Sequence, residues 1–233
     1  MPCTLPASLA DAAVCRGSFH AVLGGEAGEA VFADFSAALQ KAQAEGRILT
    51  ASLFRYENHL FFYAEGVNRP FTPQGLCPAL DAALLPWPPA LGEAAPRPWA
   101  AMQPYFYHDV PTTAADWQQG RCPQRRRGRI ALLPPDSWCS YMEHHLRIVT
   151  EGLVEGDRWH LICVQEGVLF SYLEEPRTNV NIKHRPGAHS PELDAWIAAD
   201  PESHFARFTP EQKAHPDSGH NFVFLPRIAG TED

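Results

Sequence analysis

The sequence predicts an α+β protein in which one βαββαβ arrangement occurs twice in tandem. Three observations carry this. The 233 residues suit one large domain or two small ones. Strand-like and helix-like stretches follow one another in the same order in both halves. Short residue strings also recur at a shift of roughly 110 residues, as between Leu60 and Leu169.

In the first half, residues 17–23 read as a strand. Residues 30–44 read as a helix, because Phe32, Phe35, Leu39 and Ala42 share one face at helical spacing. Residues 48–55 and 59–65 form a hairpin with Glu57-Asn58 at its turn. Residues 76–85 form a second helix, stopped by the proline cluster Pro86 to Pro89. Residues 104–110 supply the last strand.

The second half repeats the order: strand 128–133, helix 137–153, hairpin strands 158–165 and 168–174, helix 191–199, strand 220–225. Asp136 or Ser137 is placed to cap its first helix, after Pro134-Pro135. Recurring strings support the alignment. Leu60-Phe61-Phe62-Tyr63-Ala64-Glu65 matches Leu169-Phe170-Ser171-Tyr172-Leu173-Glu174, and Pro78-Ala79-Leu80-Asp81-Ala82 matches Pro191-Glu192-Leu193-Asp194-Ala195.

Helices on one face of a four-stranded antiparallel sheet leave the other face bare and apolar. Two such units can bury these faces against each other within one chain. The expected architecture is therefore two ferredoxin-like modules packed sheet to sheet as an intramolecular dimeric α/β barrel. Residues 1–111 form the first module, 112–127 a linker and 128–233 the second.

A formal charge of −8 argues against nucleic-acid or anionic-membrane partners, which need a basic footprint. The run Arg125-Arg126-Arg127-Gly128-Arg129 reads as a solvated linker or a strand entrance. No secretory signal or membrane span is expected from the composition. Cys3, Cys15, Cys77, Cys122, Cys139 and Cys163 lack zinc spacing, and read as free thiols in a reducing cytoplasm.

Chemistry is concentrated in the second half, which holds eight of the 11 histidines: His144, His145, His160, His184, His189, His204, His215 and His220. His20, His59 and His108 fall in the first. On the helix of residues 137–153, Trp138, Tyr141, Met142, His145, Val149 and Leu153 share one face. Tyr141 and His145, one turn apart, read either as core residues satisfied by hydrogen bonds or as a pair able to pass protons near neutrality.

On the Tyr-x-x-x-His of Tyr141 and His145, the hairpin containing Leu169-Phe170 and the closing strand Val223-Phe224-Leu225-Pro226, the second module resembles the L-rhamnose mutarotases. Residues 17–111 resemble them more weakly. The resemblance implies a dimeric α/β-barrel fold and a monosaccharide site with His145 and Tyr141 as its acid/base pair. It implies α/β anomer exchange of an aldose without metal or cofactor.

Where the family carries Trp-Trp, this chain has His204-Phe205-Ala206-Arg207-Phe208. Trp138, Trp159, Phe205 and Phe208, with Trp196, are the candidates to face the sugar. The first module has Phe32, and then Phe35 or Ser36, where Tyr141 and His145 stand, so one active site per chain is expected. Two other readings stay open: a cofactor-free oxygenase or haem-binding protein of the same architecture, and a non-catalytic small-ligand-binding protein. In each the partner is a small molecule and the modules pair within one chain, which allows a monomer.

Overall fold

The computed structural model describes residues 6–178, 183–213, 219 and 221–231. His215, His220 and Cys3 lie outside them. The described chain is α+β, with antiparallel sheets and five α-helices. In chain order these are β1 (Val14–Val22), α1 (Glu29–Ala44), β2 (Ile48–Tyr56), β3 (His59–Val67), α2 (Pro78–Ala82) and β4 (Ala100–Tyr107). There follow α3 (Ala114–Gln118), β5 (Arg125–Leu132), α4 (Pro135–Glu151), β6 (Val154–Glu155), β7 (Leu161–Gln165) and β8 (Val168–Glu175). The chain closes with β9 (Lys183–His184), α5 (Pro191–Ala198), β10 (Val223–Leu225) and β11 (Arg227–Gly230). None of the described helices is long and apolar enough to cross a membrane. The five described cysteines are free thiols.

The chain divides into two compact units. One comprises residues 1–102, 111–123 and 226–233, the other residues 103–110 and 124–225. In the first unit the strand order is β4-β1-β3-β2-β11, with all neighbours antiparallel. β4 enters this sheet through residues 100–102, opposite Ser18 to His20. Phe32, Phe35, Leu39 and Ala42 of α1 are buried as their spacing predicts, in a core with Leu53, Phe62, Leu80 and Trp99. Burying a leucine or phenylalanine side chain stabilises a fold by about 1.5–3 kcal/mol.

Residues 112–127, expected to be a linker, are structured. Thr113 caps α3 by accepting a hydrogen bond from the Asp116 amide, and Trp117 is fully buried. A buried tryptophan explains why this polar stretch is not loose. The last strand of the chain also belongs to the first unit. β11 pairs with β2, where Arg227 Nε donates to Ser52 Oγ at 3.0 Å and the Thr231 amide donates to the Ala51 carbonyl at 3.0 Å.

The second unit repeats the pattern, with strand order β10-β5-β8-β7-β4. Here β4 contributes residues 103–107, opposite Val164 to Leu161. α4 does not use Asp136 or Ser137 as a cap. It begins at Pro135 with Pro134 in the capping position; the Pro134 side chain has no acceptor to offer, and the Ser137 amide donates instead to the Pro134 carbonyl at 3.0 Å. It ends at Gly152, whose φ of 66° requires the left-handed conformation that glycine tolerates. Leu153 therefore lies beyond the helix. The buried face of α4 is Tyr141, His145 and Ile148, with Met142 and Val149 packed partly against the same core.

The repeat found in the sequence reappears as the same hydrogen bond in each unit. Tyr63 donates to Glu65 at 2.7 Å in β3, and Tyr172 donates to Glu174 at 2.6 Å in β8. Both carboxylates are buried and carry an arginine. Arg121 makes two bonds to Glu65, at 2.7 and 3.0 Å, and Arg126 lies 3.5 Å from Glu174.

Candidate active site

The second unit contains a cavity of about 350 Å³, within the size range of small-molecule sites. Its wall is drawn from many places in the sequence. β4 and the residue after it give Phe106 and His108; β5 gives Arg129; α4 gives Tyr141 and His145. The stretch before β7 gives Gly156, Asp157 and His160, and α5 with the following turn gives Leu193, Trp196 and Glu202. Arg177, Phe205 and Phe222 also line it.

Local structure fixes each contributor. Ser190 caps α5 by accepting from the Leu193 amide at 3.0 Å, and its hydroxyl donates to Glu151 at the end of α4. This clamp holds Trp196 against Tyr141 and His145, with ring centroids at 5.4 and 4.7 Å. Asp157 accepts from the Thr178 hydroxyl at 2.7 Å and from Arg177 Nε at 3.3 Å. Arg158 Nε lies 3.1 Å from Asp109. Gly156 packs directly against the His108 ring, since a β-carbon there would fall 1.9 Å from the ring.

His145 Nδ1 lies 2.9 Å from the Tyr141 carbonyl oxygen. A carbonyl only accepts, so Nδ1 carries the proton and Nε2 presents a lone pair. Nε2 has no hydrogen-bond partner among the described residues. The ring sits between Phe106 and Trp196, each at 4.7 Å, and 4.2 Å from Tyr141. Burial in this aromatic box pushes its pKa down to about 4, against the opposing pull of the Tyr141 carbonyl and with help from His144, His204 and His108. Burial likewise holds His108 at about 4. Tyr141 is pushed up to about 12, first by burial, an effect Tyr105 and Arg129 partly offset. At neutral pH the cavity thus holds an uncharged base and an uncharged acid side by side.

Of the residues singled out in the sequence, His145, Tyr141, Phe205 and Trp196 line this cavity and Trp138, Trp159 and Phe208 do not. Trp138 stands at the rim of α4, 38% exposed, with its Nε1 donating to the Glu166 carbonyl at 3.2 Å. Trp159 and Phe208 are buried elsewhere in the unit. His108, Arg129, Asp157 and Glu202 were not anticipated. His108 comes with residues 103–110, which belong to the second unit. Arg129 was read as part of a solvated or strand-entrance run. A period of two along β5 puts Arg129 on one face with Arg127 and sets Arg126 on the other.

The chain matches no protein-family model, and no curated protein is significantly similar to it in sequence. Among solved structures, one of a "putative monooxygenase" from Lactobacillus acidophilus NCFM is similar at 6% sequence identity over 94% of this chain and 96% of that chain, with a TM-score of 0.40.

Proposed function

We propose that the protein interconverts the α and β anomers of an aldose by acid/base catalysis at His145 and Tyr141. The observation that carries this reading is the state of His145. Its proton is fixed on Nδ1 by the Tyr141 carbonyl at 2.9 Å, which leaves Nε2 as a base in a cavity that the Tyr141 phenol also lines. The strand order shared by the two units supports reading them as tandem ferredoxin-like modules of the dimeric α/β-barrel kind, with a catalytic pair in the second only. On this reading the partner is a monosaccharide, the protein works as a cytoplasmic monomer, and no cofactor takes part.

Mutarotation needs one proton removed and one supplied. Nε2 of His145 takes the proton of the anomeric hydroxyl. The bond between the anomeric carbon and the ring oxygen breaks, and the ring oxygen takes the proton of the Tyr141 hydroxyl. The aldehyde turns about its bond to the next carbon, and both transfers reverse as the ring closes on the other face. With pKa values near 12 and near 4, full transfer from phenol to imidazole would cost about 11 kcal/mol. The charged pair does not accumulate, so the two transfers run together through the sugar. Groups placed in this way contribute roughly 10²–10⁴-fold.

The test is proton NMR saturation transfer between anomers, using rhamnose, fucose, galactose, glucose and glucuronate at neutral pH. Protein-dependent exchange that disappears in His145→Ala is the expected result. Absence of exchange with every sugar in the panel would overturn the reading.

A further inference from the structure

β5 sorts its arginines by environment. Arg126 faces Glu174, and Arg127 bonds Glu175 at 3.0 Å while lying 3.8 Å from the centre of the Phe224 ring. Arg129 lines the cavity with its guanidinium carbon 4.3 Å from the centre of the Phe222 ring, which fixes its orientation. Its Nε is buried without a hydrogen-bond partner among the described residues. Nor does any described carboxylate lie within ion-pair distance of it. The two carboxylates of the cavity wall are engaged elsewhere: Asp157 holds Arg177 and Thr178, and Glu202 accepts from Asn221 Nδ2.

Arg129 is half-buried, and a buried donor such as its Nε left without an acceptor is costly. Its planar fork of donors matches a carboxylate or a phosphate oxygen pair. Arg129 remains a cation at neutral pH even though burial lowers its pKa to about 10. We infer that Arg129 binds an anionic substituent of the ligand, so that the substrate is an acidic aldose carrying a carboxylate or a phosphate. The sugar part of this inference rests on the mutarotase reading; the anion contact rests on Arg129 alone.

Titration calorimetry on the full chain at low salt, with glucuronate, glucose 6-phosphate and glucose, tests it. One of the two anionic sugars is expected to bind at least ~10-fold more tightly than glucose, the scale of a charged hydrogen-bond pair. Which one binds decides between carboxylate and phosphate. Arg129→Met should abolish the preference and Arg129→Lys should keep part of it. If Arg129→Met does not fold, wild-type binding should still weaken steeply as sodium chloride rises, and salt-independent binding would count against the inference.

Equal binding of glucose, no saturable binding of either anion, or an unchanged preference in folded Arg129→Met overturns it. Anomer exchange measured on the same samples separates the two ideas. Anion-selective binding without exchange keeps the Arg129 contact and removes the mutarotase. Exchange of neutral sugars without anion preference does the reverse.

Discussion

Gly156 and His108 touch so closely that no other residue fits at position 156. A β-carbon there would sit 1.9 Å from Cδ2 and 2.1 Å from Nε2 of the ring. Gly156→Ala should therefore push His108 off the cavity wall. The expected cost is about 1–3 kcal/mol of stability, as for other overpacked sites, together with loss of ligand binding. Thermal melting and calorimetric titration of the variant check both. An unchanged melting temperature would show that the contact yields more easily than its geometry suggests.

The pH dependence of activity follows from two displaced groups. Catalysis needs neutral His145 and protonated Tyr141. With pKa values near 4 and near 12, the rate should stay level across the neutral range, falling only as pH drops towards 4 or climbs towards 12. A pH–rate profile with an inflection near the ordinary histidine value of about 6.5 would mean that His145 is not the base.

The same burial has a consequence for stability. His145 binds its proton less readily folded than unfolded, so the unfolded chain holds more protons between about 6.5 and about 4. Stability from this group is fully present above pH 6.5 and is lost as pH falls through about 4. The loss is about 3 kcal/mol for His145, and His108 moves in the same direction. Urea melts at pH 7 and pH 4.5 should show it, and His145→Gln should flatten part of the difference.

Tyr141→Phe separates chemistry from packing. The ring remains, so its contacts with Trp196 and Phe205 at 5.4 and 5.2 Å persist and stability should change by no more than about 1.5 kcal/mol. Anomer exchange should fall by roughly 10²-fold or more. A variant with wild-type exchange would remove Tyr141 from the mechanism.

Glu65, in the first unit, offers a separate test. Burial alone would raise its pKa, but the Arg121 guanidinium and the Tyr63 hydroxyl bring it below the usual carboxylate value. Glu65→Gln strands the Arg121 charge in a dry site and should cost about 3–5 kcal/mol. Chemical denaturation would reveal it.

Much of this architecture was legible because it rests on periodicity. The α1 stripe of Phe32, Phe35, Leu39 and Ala42, the two hairpins, and the matched strings ending in Glu65 and Glu174 depend only on spacing along the chain. Tyr141 and His145 were legible for the same reason, since one turn of helix puts them together. Trp138 belongs to the same stripe by spacing, yet α4 turns Ile148 inward and leaves Trp138 at the rim. His108, Asp157 and Arg129 were out of reach because their meeting depends on pairing between distant segments. A run of like charges also hides the fact that alternate residues of a strand face opposite ways.

The placement of β11 bears on how the chain is made as well as on its finished form. Arg227 docks on Ser52 across 175 residues of sequence, and the whole of the second unit is synthesised before β11 leaves the ribosome. At about 5–20 residues per second, β2 waits about 10–35 seconds for its outer neighbour. Through that interval Ile48-Leu49-Thr50-Ala51-Ser52-Leu53-Phe54 presents an unpaired, apolar strand edge, the kind of surface that recruits other chains. Translation speed and chaperones are therefore expected to bear on how well that edge is kept for its own late-arriving strand.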